Sequence, residues 1–248
     1  GRVAGRNRAC AFVYGVGVFC GVPLGLILVG RWARFRNRLQ GSKQTLVHDA
    51  VAEILRMLEQ GHTMFLAACS AVSEGRPPEG GLPQDEDLNV GERVVRRMIF
   101  QHLIVNPQQD LSTSVALLSV VHDVERIGDY AKSLVELSRW SKQGSSSPMA
   151  QQCSKLHGMV EPEFAATLRA LRDSDEESAH QVMRDHAQVK ALTDDILEEA
   201  MGADDGRREV VLYAVASRYL RRVSGHLSNV ASAVINPVDQ VSGKEAPA

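Results

Sequence analysis

Residues 123–131 read DVERIGDYA and lie within a longer segment whose apolar spacing predicts a helix. On this helix Glu125 and Asp129 are four residues apart and therefore share one face. Gly128 lies beside them and leaves room for another group to approach closely. His122 joins the same face one turn earlier, which makes the face a candidate metal-binding stripe, since carboxylates and imidazoles bind cations. The alternative is a solvated helix face.

The composition of the 248-residue chain predicts an all-α protein. Hydrophobic residues make up 44% of it, which suffices for one or two cores, whereas aromatic residues make up only 5%. Abundant alanine, leucine, valine, glutamate and arginine favour helix packing over a β-sandwich or a base-stacking surface. The four cysteines are far apart and form no CxxC pair, so they predict reduced thiols rather than a zinc site.

The charge of the chain is distributed unevenly. Residues 1–40 contain seven arginines and no acidic residue, while residues 41–248 contain 21 basic and 30 acidic side chains, a net charge of −9. Because an acidic body repels a phosphate backbone, nucleic acid is not a predicted ligand.

An uncharged, mostly apolar run covers residues 9–30 and is long enough to span a bilayer. Arginines flank the run on both sides, and Trp32 follows it at the position expected for a membrane interface. These features predict a membrane anchor within residues 1–40 and a body on the cytoplasmic side of the membrane. If the mature protein lacks this run, a soluble cytoplasmic body is expected instead.

The rest of the chain divides into two sets of three predicted helices. These helices cover, approximately, residues 46–72, 88–105, 110–140, 150–171, 175–201 and 205–235. Gly61 interrupts the apolar pattern of the first one. Residues 143–148 form a Gly/Ser linker, so we predict repeats at 41–142 and 149–238 and a flexible tail at 239–248. Three helices enclose too small a core, and the two sets are expected to pack as one elongated bundle.

Residues 123–131 resemble the signature of the PhoU family of phosphate-uptake regulators. Residues 92–97 and the turn at Asn106–Pro107 also resemble the second helix and turn of a PhoU repeat, and residues 219–229 resemble a degraded copy of the signature. The resemblance covers residues 44–238. It implies two three-helix repeats with pseudo-twofold symmetry and a non-enzymatic role in phosphate uptake and homeostasis, through transporter or sensor-kinase components. A homo-oligomer is a further expectation.

The resemblance also implies metal clusters held by carboxylates of the signature helices. On this sequence the implied ligands are Glu125 and Asp129, with Asp123 and His122 as additional candidates. The metal ion would be iron, zinc or magnesium. A salt bridge from Arg126, or from an arginine of another segment, is the structural alternative for the same acids.

The second copy of the signature has lost its acidic pair. Arg221 and Gly225 take the equivalent positions when the third helices are aligned at an offset of 96 residues, and Lys190 stands where PhoU repeats often carry an aspartate. With Arg218 and Arg222, this segment predicts a basic face that is either solvated or in contact with a partner, a phosphate or an acidic lipid. Two equivalent metal clusters are therefore not expected.

Two other functions are open. An apolar run directly before a PhoU-like domain is also what the end of a truncated sodium/phosphate cotransporter would show, with the body as its regulatory domain. An enzymatic function would rest on two Glu-x-x-His spacings, Glu59–His62 and Glu177–His180, which in a bundle could form a di-iron site with Glu125. No Gly-rich phosphate loop, nucleophile elbow or HExxH motif is present, so we predict no catalysis.

Overall fold

The structure is a computed structural model that describes residues 46–82, 85–107, 110–203 and 208–236. Within these ranges the chain forms α-helices and no β-strand, which confirms the all-α prediction. The helices are α1 (Leu46–Glu74), α2 (Asp85–Val105), α3 (Leu111–Ser138), α4 (Pro148–Asp173), α5 (Glu176–Gly202) and α6 (Arg208–Ser232). Each predicted helix corresponds to one of them, with ends that differ by a few residues.

Polar side chains determine where α4 and α5 begin. The hydroxyl of Ser147 accepts a hydrogen bond from the backbone N–H of Ala150, and a proline occupies the first turn of α4. The carboxylate of Asp175 accepts hydrogen bonds from the N–H groups of Glu177 and Ser178 at the start of α5. These caps pair backbone donors that a helix start otherwise leaves without partners.

Gly61 breaks the apolar spacing of α1 but not the helix, as predicted for residues 46–72. The helix continues to Glu74, and Gly61 is buried where an added Cβ would lie 3.5 Å from the Ile127 side chain of α3. Packing of the apolar face outweighs the cost of about 1 kcal/mol that glycine adds to a helix interior. Gly75 follows the last helical residue with a φ of +69°, which suits glycine, and a Cβ there would lie 2.9 Å from the backbone nitrogen of Gln143.

The two sets of helices, which we call the first repeat (α1–α3) and the second repeat (α4–α6), share one hydrophobic core. Between the repeats, α3 packs on α6 and α1 packs on α4. Where α1 packs on α4, the ring centroids of Phe65 and Phe164 lie 5.2 Å apart, and both side chains are fully buried. The repeats therefore form one packed body rather than two independent bundles.

The two helices with signature-like sequences, α3 and α6, lie against each other in antiparallel orientation. Asp123 of α3 contacts His226 of α6, whereas Tyr130, two turns further along α3, contacts Tyr219, which precedes His226 in α6. The signature and its degraded copy consequently face each other across the boundary between the repeats.

Gly128 allows α2 to approach α3 closely. A Cβ at this position would overlap the Cδ1 atom of Leu88, a residue of α2 that is 2% exposed. The predicted role of Gly128 in a close approach is confirmed, and the group that approaches is an apolar side chain of the same repeat.

The predicted membrane run at residues 9–30 and the predicted tail at residues 239–248 lie outside the described residues. None of the helices that the structure describes is both long and apolar enough to cross a membrane. Within the same ranges Cys69 and Cys153 are free thiols, as predicted, and burial raises the pKa of both, that of Cys153 to about 12.

Candidate functional site

The acidic face of α3 consists of Glu125 and Asp129, one turn apart. The Glu125 side chain is 11% exposed and the Asp129 side chain is 32% exposed. Asp129 accepts hydrogen bonds from Arg126 at 3.0 Å and from Lys132 at 3.4 Å. Arg126 also lies 3.4 Å from Oε2 of Glu125. Basic side chains of the same helix therefore compensate part of the negative charge on this face.

The Glu125 carboxylate reaches little solvent, and Arg126 compensates its charge only in part. Burial raises its pKa, the negative charge of Asp129 raises it further, and Glu92 of α2 adds to the effect, while Arg126 opposes it. Its Oε2 atom is buried and has no hydrogen-bond partner among the described residues. A buried carboxylate oxygen in this state is one that a bound cation would stabilise.

His122 lies at the edge of the acidic face. Its ring is about half exposed, and its Nδ1 atom is 3.6 Å from Oε1 of Glu92, the oxygen that also pairs with Arg96 at 2.8 Å. In the part of the chain that the structure describes, no three His, Cys, Asp or Glu side chains are grouped so that they could hold a metal ion. A cation between Glu125 and Asp129 would therefore need water or a partner to complete its shell.

Asp123 points away from the acidic face and contacts the second repeat. It is 7% exposed, and its Oδ1 atom lies 2.7 Å from Nδ1 of His226 and accepts a hydrogen bond from Nδ2 of Asn229 at 3.0 Å. Residues two apart on a helix face different directions, so Asp123 does not share a cation with Glu125 in this geometry. Its position fits a structural link between the repeats.

Tyr130 extends this link. Its ring stacks on His226 with centroids 5.6 Å apart, and its hydroxyl accepts a hydrogen bond from Nε of Arg222 at 3.0 Å. The guanidinium group of Arg222 also lies over the Tyr130 ring, 5.7 Å from its centroid. The inter-repeat cluster, as we call it, consists of Asp123, Tyr130, Arg222, His226 and Asn229.

Replacing Asp123 with alanine should lower the free energy of unfolding by about 2–3 kcal/mol, because His226 and Asn229 would lose their shared acceptor inside a buried contact. The matched control is Asp129→Ala on the same helix, which removes partly exposed ion pairs and should cost less than about 1 kcal/mol. Urea unfolding followed by circular dichroism measures both values. An equal cost for the two variants would contradict the structural role of Asp123.

The three arginines of the predicted basic face do not share one contact. Arg218 is exposed, Arg221 pairs with Asp194 of α5 at 2.5 Å, and Arg222 bonds to Tyr130 of the first repeat. The basic segment of α6 is therefore divided between a side that faces α5 and a side that faces α3.

The two Glu-x-x-His motifs do not converge on one site. Glu59 is exposed and pairs with Arg172 at 3.0 Å, and Glu177 is exposed and pairs with an arginine of its own helix at 2.8 Å. His62 stacks on Phe164 with ring centroids 4.6 Å apart. The di-iron alternative requires inward-facing glutamates at one level of the bundle, and these two glutamates face outward.

A family model described as the PhoU domain matches the sequence twice, over residues 54–138 and 153–234. The chain belongs to the PhoU family. The first match contains the signature with Glu125 and Asp129, and the second contains Arg221 at the equivalent position. The second repeat is thus a PhoU domain in which the acidic pair is replaced. Comparison with curated proteins gave no match.

Two solved PhoU structures are similar to this chain. The phosphate transport system regulatory protein PhoU from Streptococcus pneumoniae has a TM-score of 0.61 and 16% identity, over 76% of this chain and 93% of that one. PhoU from Pseudomonas aeruginosa has a TM-score of 0.58 and 18% identity, over 83% of this chain and 97% of that one. At these identities the similarity shows the PhoU fold.

A buried polar chain in the second repeat was not predicted. Ser224 of α6 lies between Glu163 of α4 and His186 of α5, with its Oγ atom 2.9 Å from Oε1 of Glu163 and 2.9 Å from Nδ1 of His186. Glu163 is 1% exposed, and burial raises its pKa to about 8. A sequence signal existed, because Glu163 lies between Val160 and Thr167 at the spacing of a buried helix face.

Proposed function

We propose that this chain is a non-enzymatic regulator of phosphate uptake that acts by binding a component of a phosphate transporter or its sensor kinase. The observation that carries the proposal is the acidic face at Glu125 and Asp129, which the first repeat retains and the second repeat has replaced. A partly exposed acidic pair on a rigid helix suits a basic surface of a partner or a contact bridged by a metal ion. Membership of the PhoU family supports the link to phosphate uptake.

Complementation of a deletion strain tests this function. The wild-type gene should restore normal phosphate accumulation and phosphate-responsive transcription, whereas a Glu125→Ala, Asp129→Ala double variant should restore neither. Glu136→Ala is the matched control, because this exposed acid lies on the same helix, and it should behave as wild type. If deletion itself leaves both readouts unchanged, the proposed function is wrong.

We also propose Glu125 and Asp129 as protein ligands of an iron, zinc or magnesium ion. The buried Oε2 atom of Glu125 supports this, because it accepts no hydrogen bond among the described residues and a cation would stabilise the ionised form of the carboxylate. Elemental analysis of the purified protein should find less bound metal in the Glu125→Ala, Asp129→Ala variant than in wild type or in Glu136→Ala. Equal metal content in all three proteins would remove these two residues from the metal site.

A second candidate function is that of the regulatory domain at the end of a sodium/phosphate cotransporter. The apolar run at residues 9–30, directly before the first repeat, favours it. The gene sequence distinguishes a separate regulator from a cotransporter domain, because a cotransporter requires several further apolar segments in the reading frame upstream of Gly1.

A further inference from the structure

The second repeat gathers nitrogen-bearing side chains at the place where the first repeat has its acids. Arg221 stands at the position equivalent to Glu125, and α5 contributes Lys190 and His186. Burial lowers the pKa of His186, and the positive charges of Arg221 and Lys190 lower it further. Lys190 lies one turn after His186 on α5, and Arg221 lies one turn before Gly225, the residue of α6 next to His186. Two helices thus bring two positive charges and one imidazole to one locality.

Gly225 lies next to the His186 ring and adds no side chain there. A Cβ at this position would lie 3.4 Å from Cε1 and 3.8 Å from Nε2 of His186. The aspartate that the signature carries at the equivalent position, Asp129 in the first repeat, would sit directly against the imidazole. Glycine there places no side chain against the ring, and no carboxylate stands at this position to neutralise the cations.

The buried side chains of Glu163 and Ser224 hold the His186 ring through its Nδ1 atom. Ser224 has one hydroxyl hydrogen, so it donates either to Glu163 or to Nδ1 of His186. When Glu163 is protonated, its O–H donates to Ser224, Ser224 donates to Nδ1, and the ring hydrogen is on Nε2. Burial raises the pKa of Glu163, which favours this arrangement over the one in which Ser224 donates to an ionised Glu163. A neutral imidazole then presents an N–H donor beside Gly225.

Nearby acidic groups compensate the positive charges of Arg221 and Lys190 only in part. Asp194 pairs with Arg221 but is itself 55% exposed, and Asp185 lies near enough to Glu163 to raise the pKa of that carboxyl group. A guanidinium group has five N–H donors, so the bond to Asp194 leaves donors for another acceptor. Lys190 is exposed. The locality therefore offers donors of three kinds, two of them positively charged.

We propose that Lys190, Arg221 and Nε2 of His186, beside Gly225, form an oxyanion site in the second repeat, and that its ligand is free inorganic phosphate. A tetrahedral anion with several oxygens can accept hydrogen bonds from all three groups at once, which a single-acceptor anion cannot. His186 is half-buried and the Arg221 side chain is 20% exposed, so the site suits a small free anion better than a lipid headgroup held at a membrane surface. The site does not depend on the regulatory role proposed above.

Calorimetric titration of the full chain with inorganic phosphate, at constant ionic strength, tests the site. Wild type should bind phosphate saturably, and Arg221→Gln and Lys190→Gln should each weaken binding about tenfold, the loss expected for one charge-assisted hydrogen bond. Arg222→Gln is the matched control, because Arg222 follows Arg221 in the chain but bonds to Tyr130, and its affinity should stay within about twofold of wild type. Circular dichroism verifies that each variant is folded.

Nuclear magnetic resonance provides a second measurement on unmutated protein. Phosphate should shift the imidazole signals of His186, assigned by their loss in His186→Gln, and equimolar chloride should not. If Arg221→Gln does not fold, this titration decides alone. Absence of saturable binding, equal weakening in Arg222→Gln, or binding to vesicles containing phosphatidic acid without binding to free phosphate would each overturn the proposal.

Discussion

Replacing Phe164 with alanine is expected to lower the free energy of unfolding by about 3–5 kcal/mol, the largest loss that we predict for a single side chain. Phe164 is fully buried at the contact between the repeats, where its ring stacks on His62 of α1 and lies 5.2 Å from the ring of Phe65. Truncation removes apolar area from both repeats and leaves a cavity that rigid helices fill poorly. Urea unfolding of the full chain, followed by circular dichroism, measures the loss.

The control for this change is Phe100→Ala. Phe100 lies on α2 and is 66% exposed, so its truncation should change the free energy of unfolding by no more than about 0.5 kcal/mol. Because the repeats share a core, Phe164→Ala should shift one cooperative transition that includes helices of both repeats. A variant in which α4–α6 unfold while α1–α3 remain folded would contradict the shared core.

Replacing Glu163 with glutamine should abolish a pH dependence of stability. The pKa of Glu163 rises from 4.5 to about 8 in the folded protein, chiefly through burial. Between these pH values the folded state keeps a proton that the unfolded state has released, so stability decreases as pH rises through this window. Each unit of pH costs up to ~1.4 kcal/mol from this group, and the decrease ends above about pH 8. Glutamine stays neutral and can keep the contact with Ser224.

The difference in unfolding free energy between Glu163→Gln and wild type, measured by urea unfolding at pH 5, 6, 7 and 8, isolates this effect. The free energy of unfolding of Glu163→Gln should increase relative to that of wild type at each step to higher pH. Glu177→Gln is the control, since the Glu177 side chain is 80% exposed, and its curve should run parallel to that of wild type. If the curve of unfolding free energy against pH for Glu163→Gln also runs parallel to that of wild type, Glu163 is ionised at neutral pH in the folded protein.

Much of the fold was predictable because it depends on local rules. Apolar spacing and turn residues located the helices to within a few residues, and Ser147 and Asp175 begin α4 and α5 as capping residues should. The first helix also continues through Gly61 as predicted, and this glycine packs against Ile127.

The candidate site was predictable in part. The spacing of Glu125 and Asp129 placed both on one helix face, and the structure keeps them there. The residue spacing did not reveal that Asp123, within the same motif, faces the second repeat and bonds to His226 and Asn229. That direction depends on where α6 lies, and residue spacing within α3 carries no information about a helix about a hundred residues away.

The amino-acid sequence by itself determined the helical class, the two repeats, the PhoU signature and the loss of the acidic pair from the second copy, because periodicity, capping and motif identity are properties of neighbouring residues. Only the tertiary structure decided which polar groups meet. In the folded chain Arg222 bonds to Tyr130, whereas the neighbouring Arg221 pairs with Asp194. Glu163 is buried and is linked to His186 through Ser224. Burial and the charges of other helices set the hydrogen bonds and pKa values of such groups, and both arise only when the repeats pack together.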